Sequence, residues 1–196
     1  MGQGPRRKDG KVHEMSSLPD PDTALADVIR EVEAHAARAG WDRPAQLFAL
    51  VDTADLLQRE PHLAELLGVE AHDQALTPVE QEATSGSLDE LLGSILWPPE
   101  VAGCAVVVEA MTVPPDAEQV PSDPETAAEY AATYPDRQEA LIVAGALRTG
   151  ESFCAIRQRA HDEDDMVLAG PDLVPALLEL LHTTLQPEPG DPEADE

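Results

Sequence analysis

The sequence predicts a single α+β domain: a mainly antiparallel sheet of about four strands, with helices packed on one side of it and a C-terminal hairpin followed by a helix. Three observations carry this expectation. Residues 140–160 hold two β-type runs on either side of Arg148-Thr149-Gly150-Glu151, and a glycine between two such runs signals a hairpin. Helical periodicity marks both ends of the folded region. The helices between them cluster among few strands, which favours α+β.

The elements can be taken in order. Asp20 can cap a first helix, Pro21 suits its first turn and Gly40 stops it. Leu25, Val28, Ile29 and Val32 give it one apolar face. Gln46–Val51 reads as a short buried strand, and Asp52 at its end caps a helix over Thr53–Arg59. Pro61 breaks that helix, and a further short one over His62–Leu67 ends at Gly68. Residues 69–86 read as irregular, although Thr77-Pro78-Val79-Glu80 has the form of a capping box. Ser87-Leu88-Asp89-Glu90 has that form again, and Leu88, Leu91, Leu92 and Ile95 supply an apolar helix face that Trp97-Pro98-Pro99 ends. Val101–Val113 holds a strand whose run Ala105–Val108 is apolar on both faces, and it is placed centrally in the sheet. A loop over Pro114–Pro121 leads to an Ala-rich helix from Asp123-Pro124 to Pro135, anchored by Tyr130 and Tyr134. After the hairpin, a helix capped at Asp172 runs to about Leu185 along the stripe Val174, Leu177, Leu178, Leu181, Leu185. Residues 1–18 read as a disordered, net-basic extension, with Met15 an alternative start, 19–185 as the domain, and 186–196 as a disordered acidic tail.

The hairpin also supplies the candidate site. If Thr149-Gly150 is a two-residue loop, Arg148 pairs with Glu151 and the register follows. Leu141, Val143, Gly145, Leu147, Cys154 and Ile156 then form the core face. Arg148, Phe153, Arg157 and Arg159 share the opposite face with small residues. Three guanidinium groups around one ring suit an acidic partner segment, because Arg binds carboxylates bidentately and an aromatic side chain anchors a contact.

Composition restricts the function further. The formal charge is −27, from 39 Asp and Glu against 12 Lys and Arg. Nucleic-acid binding and docking to anionic membranes both need a basic face and are not expected. Both lysines, Lys8 and Lys11, lie in the N-terminal extension. The folded region therefore lacks a residue for Schiff-base chemistry, a Walker-A site or the kinase strand lysine. The two cysteines, Cys104 and Cys154, form no disulfide framework and read as buried thiols in apolar strands. No apolar run is long enough to span a bilayer, and a cytoplasmic location is expected.

Other chemical candidates are weaker. Leu47–Asp55 (LFALVDTAD) superficially resembles a haloacid-dehalogenase nucleophile strand, but the second carboxylate is displaced by one position and the lysine has no counterpart. Asp52 reads instead as a helix cap. His161-Asp162-Glu163-Asp164-Asp165 lacks the Gly and Glu of a calcium loop, since Val167 and Leu173 stand in those places. It reads as a solvated charge run. His62 and His72 have no metal-ligand spacing with either cysteine.

The blocks ALVDTADLL, LTPVEQE, WPPEVAGCAVVVE, ALRTGESFCAIR and AGPDLVPALL resemble, over nearly all of Asp20–Leu185, an uncharacterised family of small acidic actinobacterial proteins of unknown function. The resemblance implies a cytosolic accessory role beside membrane proteins and transfers no functional residue. The expectation is a non-catalytic cytosolic protein-binding or adaptor module, monomeric or homodimeric, without a cofactor or metal and with a membrane-associated protein as a partner type. The alternative is a small metal-dependent hydrolase using Asp and Glu residues.

Overall fold

The computed structural model describes residues 23–62, 75–82, 88–113, 121 and 124–186. Helix α1 spans Ala24–Ala39, β1 Gln46–Asp52, α2 Thr53–Arg59, β2 Leu76–Gln81, α3 Leu88–Ser94 and β3 Val101–Thr112. Then follow α4 Pro124–Thr133, β4 Gln138–Leu147, β5 Ser152–Gln158, a 3-10 turn Asp164–Met166, β6 Leu168–Gly170 and α5 Pro175–Thr184. The expected caps at Asp20 and Asp123, the helix over His62–Leu67, the box at Ser87, the loop at Pro114 and both terminal extensions fall wholly or largely outside the described residues.

The strands form one six-stranded sheet in the order β2-β1-β3-β4-β5-β6, every neighbouring pair antiparallel. The α+β class holds and the strand count rises from about four. The two additional strands are the edges. β2 carries Pro78 and Glu80, so it reads as a loop or a helix start. β6 has only three residues, too few for a periodicity.

Helices cover both faces of the sheet, not one. Leu25, Ile29, Val32 and Ala36 of α1 pack on Phe48, Leu50, Ala105, Val107, Leu141, Val143, Phe153 and Ala155. On the opposite face Leu92 of α3 and Leu178, Leu181 and Leu185 at the C-terminal helix pack on Leu47, Ala49, Cys104, Val106, Ala144 and Cys154. The cause lies in β1, β3 and β4, whose middle residues are apolar without alternation and bury both faces. The central placement of β3 holds. Close packing needs glycine at Gly145, where a Cβ would strike Ile29 of α1. It also needs glycine at Gly103, where a Cβ would strike the Ala146 carbonyl and Leu147.

Capping follows the side chains available. The Thr23 hydroxyl accepts a hydrogen bond from Ala26 N–H at 3.2 Å, and Asp52 accepts one from Asp55 N–H at 3.0 Å. The second is the cap expected from the sequence. The last helix begins later than expected: Val174 is its N-cap, Pro175 is its first residue, and Asp172 makes no cap bond.

The hairpin register differs from the expected one by a single residue. Leu147 N–H donates to Glu151 C=O, and Gly150 N–H donates back to Leu147 C=O. Arg148-Thr149-Gly150 is therefore a three-residue loop, with Gly150 in the left-handed region at φ 95°. Gly145 faces Phe153 and Ala144 faces Cys154. This one-residue slip moves every β5 side chain to the other face. Phe153, Ala155 and Arg157 join Leu141, Val143 and Leu147 under α1, while Cys154 joins Ala144 and Ala146 on the α5 side.

Candidate functional site

The structure disperses the expected site of Arg148, Phe153, Arg157 and Arg159. Phe153 is buried in the α1 core, with the Arg30 guanidinium 5.1 Å from its ring centroid. Arg157 is also buried beneath α1. Arg148 lies at the hairpin loop, where its guanidinium donates to the carbonyls of Val101 (2.9 Å), Trp97 (2.9 Å) and Pro98 (3.3 Å), and to that of Leu185. It ties the segment before β3 to the end of α5. Arg159 stands exposed just past the far end of β5, at the opposite end of the hairpin from the exposed Arg148. The four side chains share no surface, because the shared face depended on the two-residue loop.

Arg157 and Arg159 instead organise a network at the C-terminal end of α1. Arg157 grips Glu33 of α1 bidentately, Nε–Oε1 2.6 Å and Nη2–Oε2 3.2 Å. It also donates to Asp162 at 3.3 Å and Asp164 at 2.9 Å. Arg159 holds both oxygens of Asp42, at 3.2 and 2.8 Å, and Glu139 at 2.9 Å. It lies 5.2 Å from the centroid of the Trp41 ring, whose Nε1–H donates to Asp162 at 3.0 Å. Gly40 (φ 85°) and Asp42 (φ 64°) turn the chain so that the amides of Asp42 and Arg43 point at one carboxylate, Glu109, at 3.0 and 2.9 Å. Such a concave pair of amides binds anions, and here the protein's own Glu109 fills it.

The electrostatics follow from these contacts. The Arg159 hydrogen bond, and then its charge, hold the Asp42 carboxyl below the ordinary carboxylate range. Glu33 raises the Arg157 guanidinium pKa through its hydrogen bond, and Asp42 followed by Glu139 does the same for Arg159. Carboxylate oxygens of Asp42, Glu109 and Glu139 lie within 4.8 Å of one another, a spacing that could hold a hard cation. Those carboxylates already accept from Arg159 and from two backbone amides. An incoming ion would have to displace or share these donors.

The remaining candidates have structural partners. Burial pushes the Cys104 thiol up to about 11 and raises that of Cys154, so neither is a ready nucleophile. His62 is exposed beside Glu60, and His72 lies outside the described residues. A pair not singled out in the sequence is Ser152 and His182, 2.9 Å apart between β5 and α5. Serine beside histidine is half of a nucleophile arrangement, but among the described residues the ring has no second hydrogen bond to orient it. Beside β2 lie two shallow grooves of about 290 and 280 Å³, lined by Arg43, Glu80 and Glu82 and by Glu31, His35 and Arg38 respectively. Their mixed charges select no one ligand.

Sequence reasoning missed Glu33 as the partner of Arg157. A signal existed: Glu33 follows Ile29 by one helical turn and so stands on the apolar stripe of α1. A carboxylate in that position requires a buried cation. Among the described residues, no helix is long and apolar enough to cross a membrane. No curated protein and no solved structure matches the chain. A family model described as PPA1309-like protein matches residues 25–186, from the first turn of α1 to just past the end of α5. With its whole sheet and the helices on both faces inside that match, the chain belongs to the PPA1309-like protein family.

Proposed function

We propose that the chain is a non-catalytic cytoplasmic protein-binding or adaptor module. The observation that carries this reading is the last sheet edge. Met166 and Leu168 are 53% and 57% exposed there, beside exposed Glu163 and Asp165. Apolar side chains left in solvent within a charged rim are typical of a docking surface. In the network around Arg157 and Arg159 the carboxylates are engaged in ion pairs, Asp42 and Glu139 with Arg159 and Glu33 with Arg157. A membrane-associated protein remains the partner type the reading favours. The test is affinity capture followed by reciprocal capture with the purified partner. A direct one-to-one complex supports the module, and failure of every captured protein to bind when purified overturns it.

A second reading, a metal-dependent hydrolase, is favoured by the convergence of Asp42, Glu109 and Glu139. Thermal melts with magnesium, manganese and zinc test it. Specific stabilisation that disappears in Asp42→Asn and Glu139→Gln would replace the binding module with this reading. Equal melting with and without metal would remove it.

A further inference from the structure

The two edges of the sheet are not alike. An exposed edge invites pairing with another strand, and proteins blunt such edges with proline, charge or shortness. Thr53 N–H donates to Ala75 C=O, which sets the hydrogen-bond phase of β1 and β2. With Leu50 opposite Pro78, residue 78 occupies a position whose amide would point outward. Proline there removes the donor, and Glu80 adds charge, so the β2 edge is closed to strand addition.

The β6 edge lacks that guard. Leu147 N–H donates to Glu151 C=O, and Arg159 N–H to Glu139 C=O, so Cys154 and Ile156 make their bonds on the β6 side. Gly170 and Leu168 lie opposite them, which leaves Ala169 with its N–H and C=O directed away from the sheet. Ala169 is exposed, and Leu168 and Met166 flank it with apolar side chains in solvent. Immediately before them run four consecutive acids, Asp162 to Asp165. The side chains of Asp162 and Asp164 bond Arg157, while those of Glu163 and Asp165 have no partner among the described residues.

Resting on the binding-module reading, we infer that β6 is its docking edge and that the occupant is a basic, extended segment of a partner protein. The segment adds as a strand beside Ala169, packs its apolar side chains on Leu168 and Met166, and sets Lys or Arg against Glu163 and Asp165. Charge decides the choice of occupant. A second copy brings −27 to a surface of the same sign, whereas a basic strand is drawn in. The edge is short, so backbone bonds contribute little and attraction to the acids dominates. The complex is accordingly weak and salt-sensitive.

The test uses the full chain, ¹⁵N-labelled, titrated with a capped nonapeptide alternating Lys and Val. Amide shifts are expected at Met166–Gly170, with affinity falling about tenfold between roughly 20 and 200 mM salt. A Glu/Val peptide should not bind. Ala169→Pro transfers to β6 the guard that β2 already has and should weaken binding about tenfold or more. Leu168→Ser should weaken it about fivefold without touching the β5 pairing, which covers the case in which the proline variant fails to fold. Shifts spread evenly over the acidic surface, or unchanged affinity in Leu168→Ser, would overturn the assignment. So would a homodimer abolished by Ala169→Pro, which would make a second copy the occupant. A large gain in affinity on removing residues 1–15 would make this chain's own basic stretch the occupant. If a purified partner binds wild type and Leu168→Ser equally, the module stands and the β6 assignment falls. If neither partner nor peptide binds, both fall.

Discussion

The buried pair Glu33–Arg157 offers the sharpest test of the packing argument. The two side chains are 6% and 3% exposed and joined by two hydrogen bonds. Arg157→Met keeps most of the apolar stem but strands a carboxylate beneath α1. Removing one partner of a buried pair costs about 3–5 kcal/mol, mainly because the other charge is left desolvated. That is roughly a third of the stability of an ordinary domain. Replacing both, as Glu33→Met with Arg157→Met, removes the stranded charge and should fall within about 1–2 kcal/mol of wild type. The outer contacts differ. Asp164 is 98% exposed, so Asp164→Asn should cost under about 1 kcal/mol. Urea unfolding of wild type, Glu33→Met, Arg157→Met and the double variant, read as midpoints at constant slope, gives the cycle. An Arg157→Met cost below about 1 kcal/mol would refute the reasoning, because it would mean that water reaches Glu33.

Three further predictions follow from local geometry. Gly103→Ala should destabilise more than Gly145→Ala, by about 1–3 kcal/mol in thermal melts, because its Cβ meets a backbone carbonyl whereas the other meets the end of Ile29. The Cys104 thiol keeps its proton to about 11 in the folded state. The unfolded chain releases it near the ordinary thiol value, so stability falls as pH rises from about 9 toward 11, at up to about 1.4 kcal/mol per pH unit. Cys104→Ala should flatten that slope in urea melts, and an unchanged slope would contradict the burial argument. Arg148→Met leaves the carbonyls of Trp97 and Val101 without their donor. It should cost about 1–3 kcal/mol and speed amide exchange at the end of α5, readable by hydrogen exchange.

The parts of the fold legible in the sequence were those with unambiguous burial. α1 and α5 announced themselves by apolar stripes, and β1 and β3 by unbroken apolar runs. The same runs argued for cover on both faces, a consequence the expected one-sided packing overlooked. β2 was illegible because an edge strand needs few apolar residues and is protected by the residues that look like a turn, Pro78 and Glu80. The hairpin shows a finer limit. Arg148-Thr149-Gly150-Glu151 suits a two-residue or a three-residue loop, and backbone hydrogen bonds decide between them. That choice moved Arg157 from solvent to core, and with it the candidate site.

The span between Glu33 and Arg157 also bears on synthesis. The two residues are 124 positions apart. At about 5–20 residues per second, a ribosome adds Arg157 about 6–25 s after Glu33. Until residues 138–158 have been added, the apolar face of α1 lacks the β4 and β5 surface it finally covers. Helix α1, made early, is thus among the last of the described elements to be fully covered. The α1 face of the core is therefore complete only when nearly all of the chain has emerged.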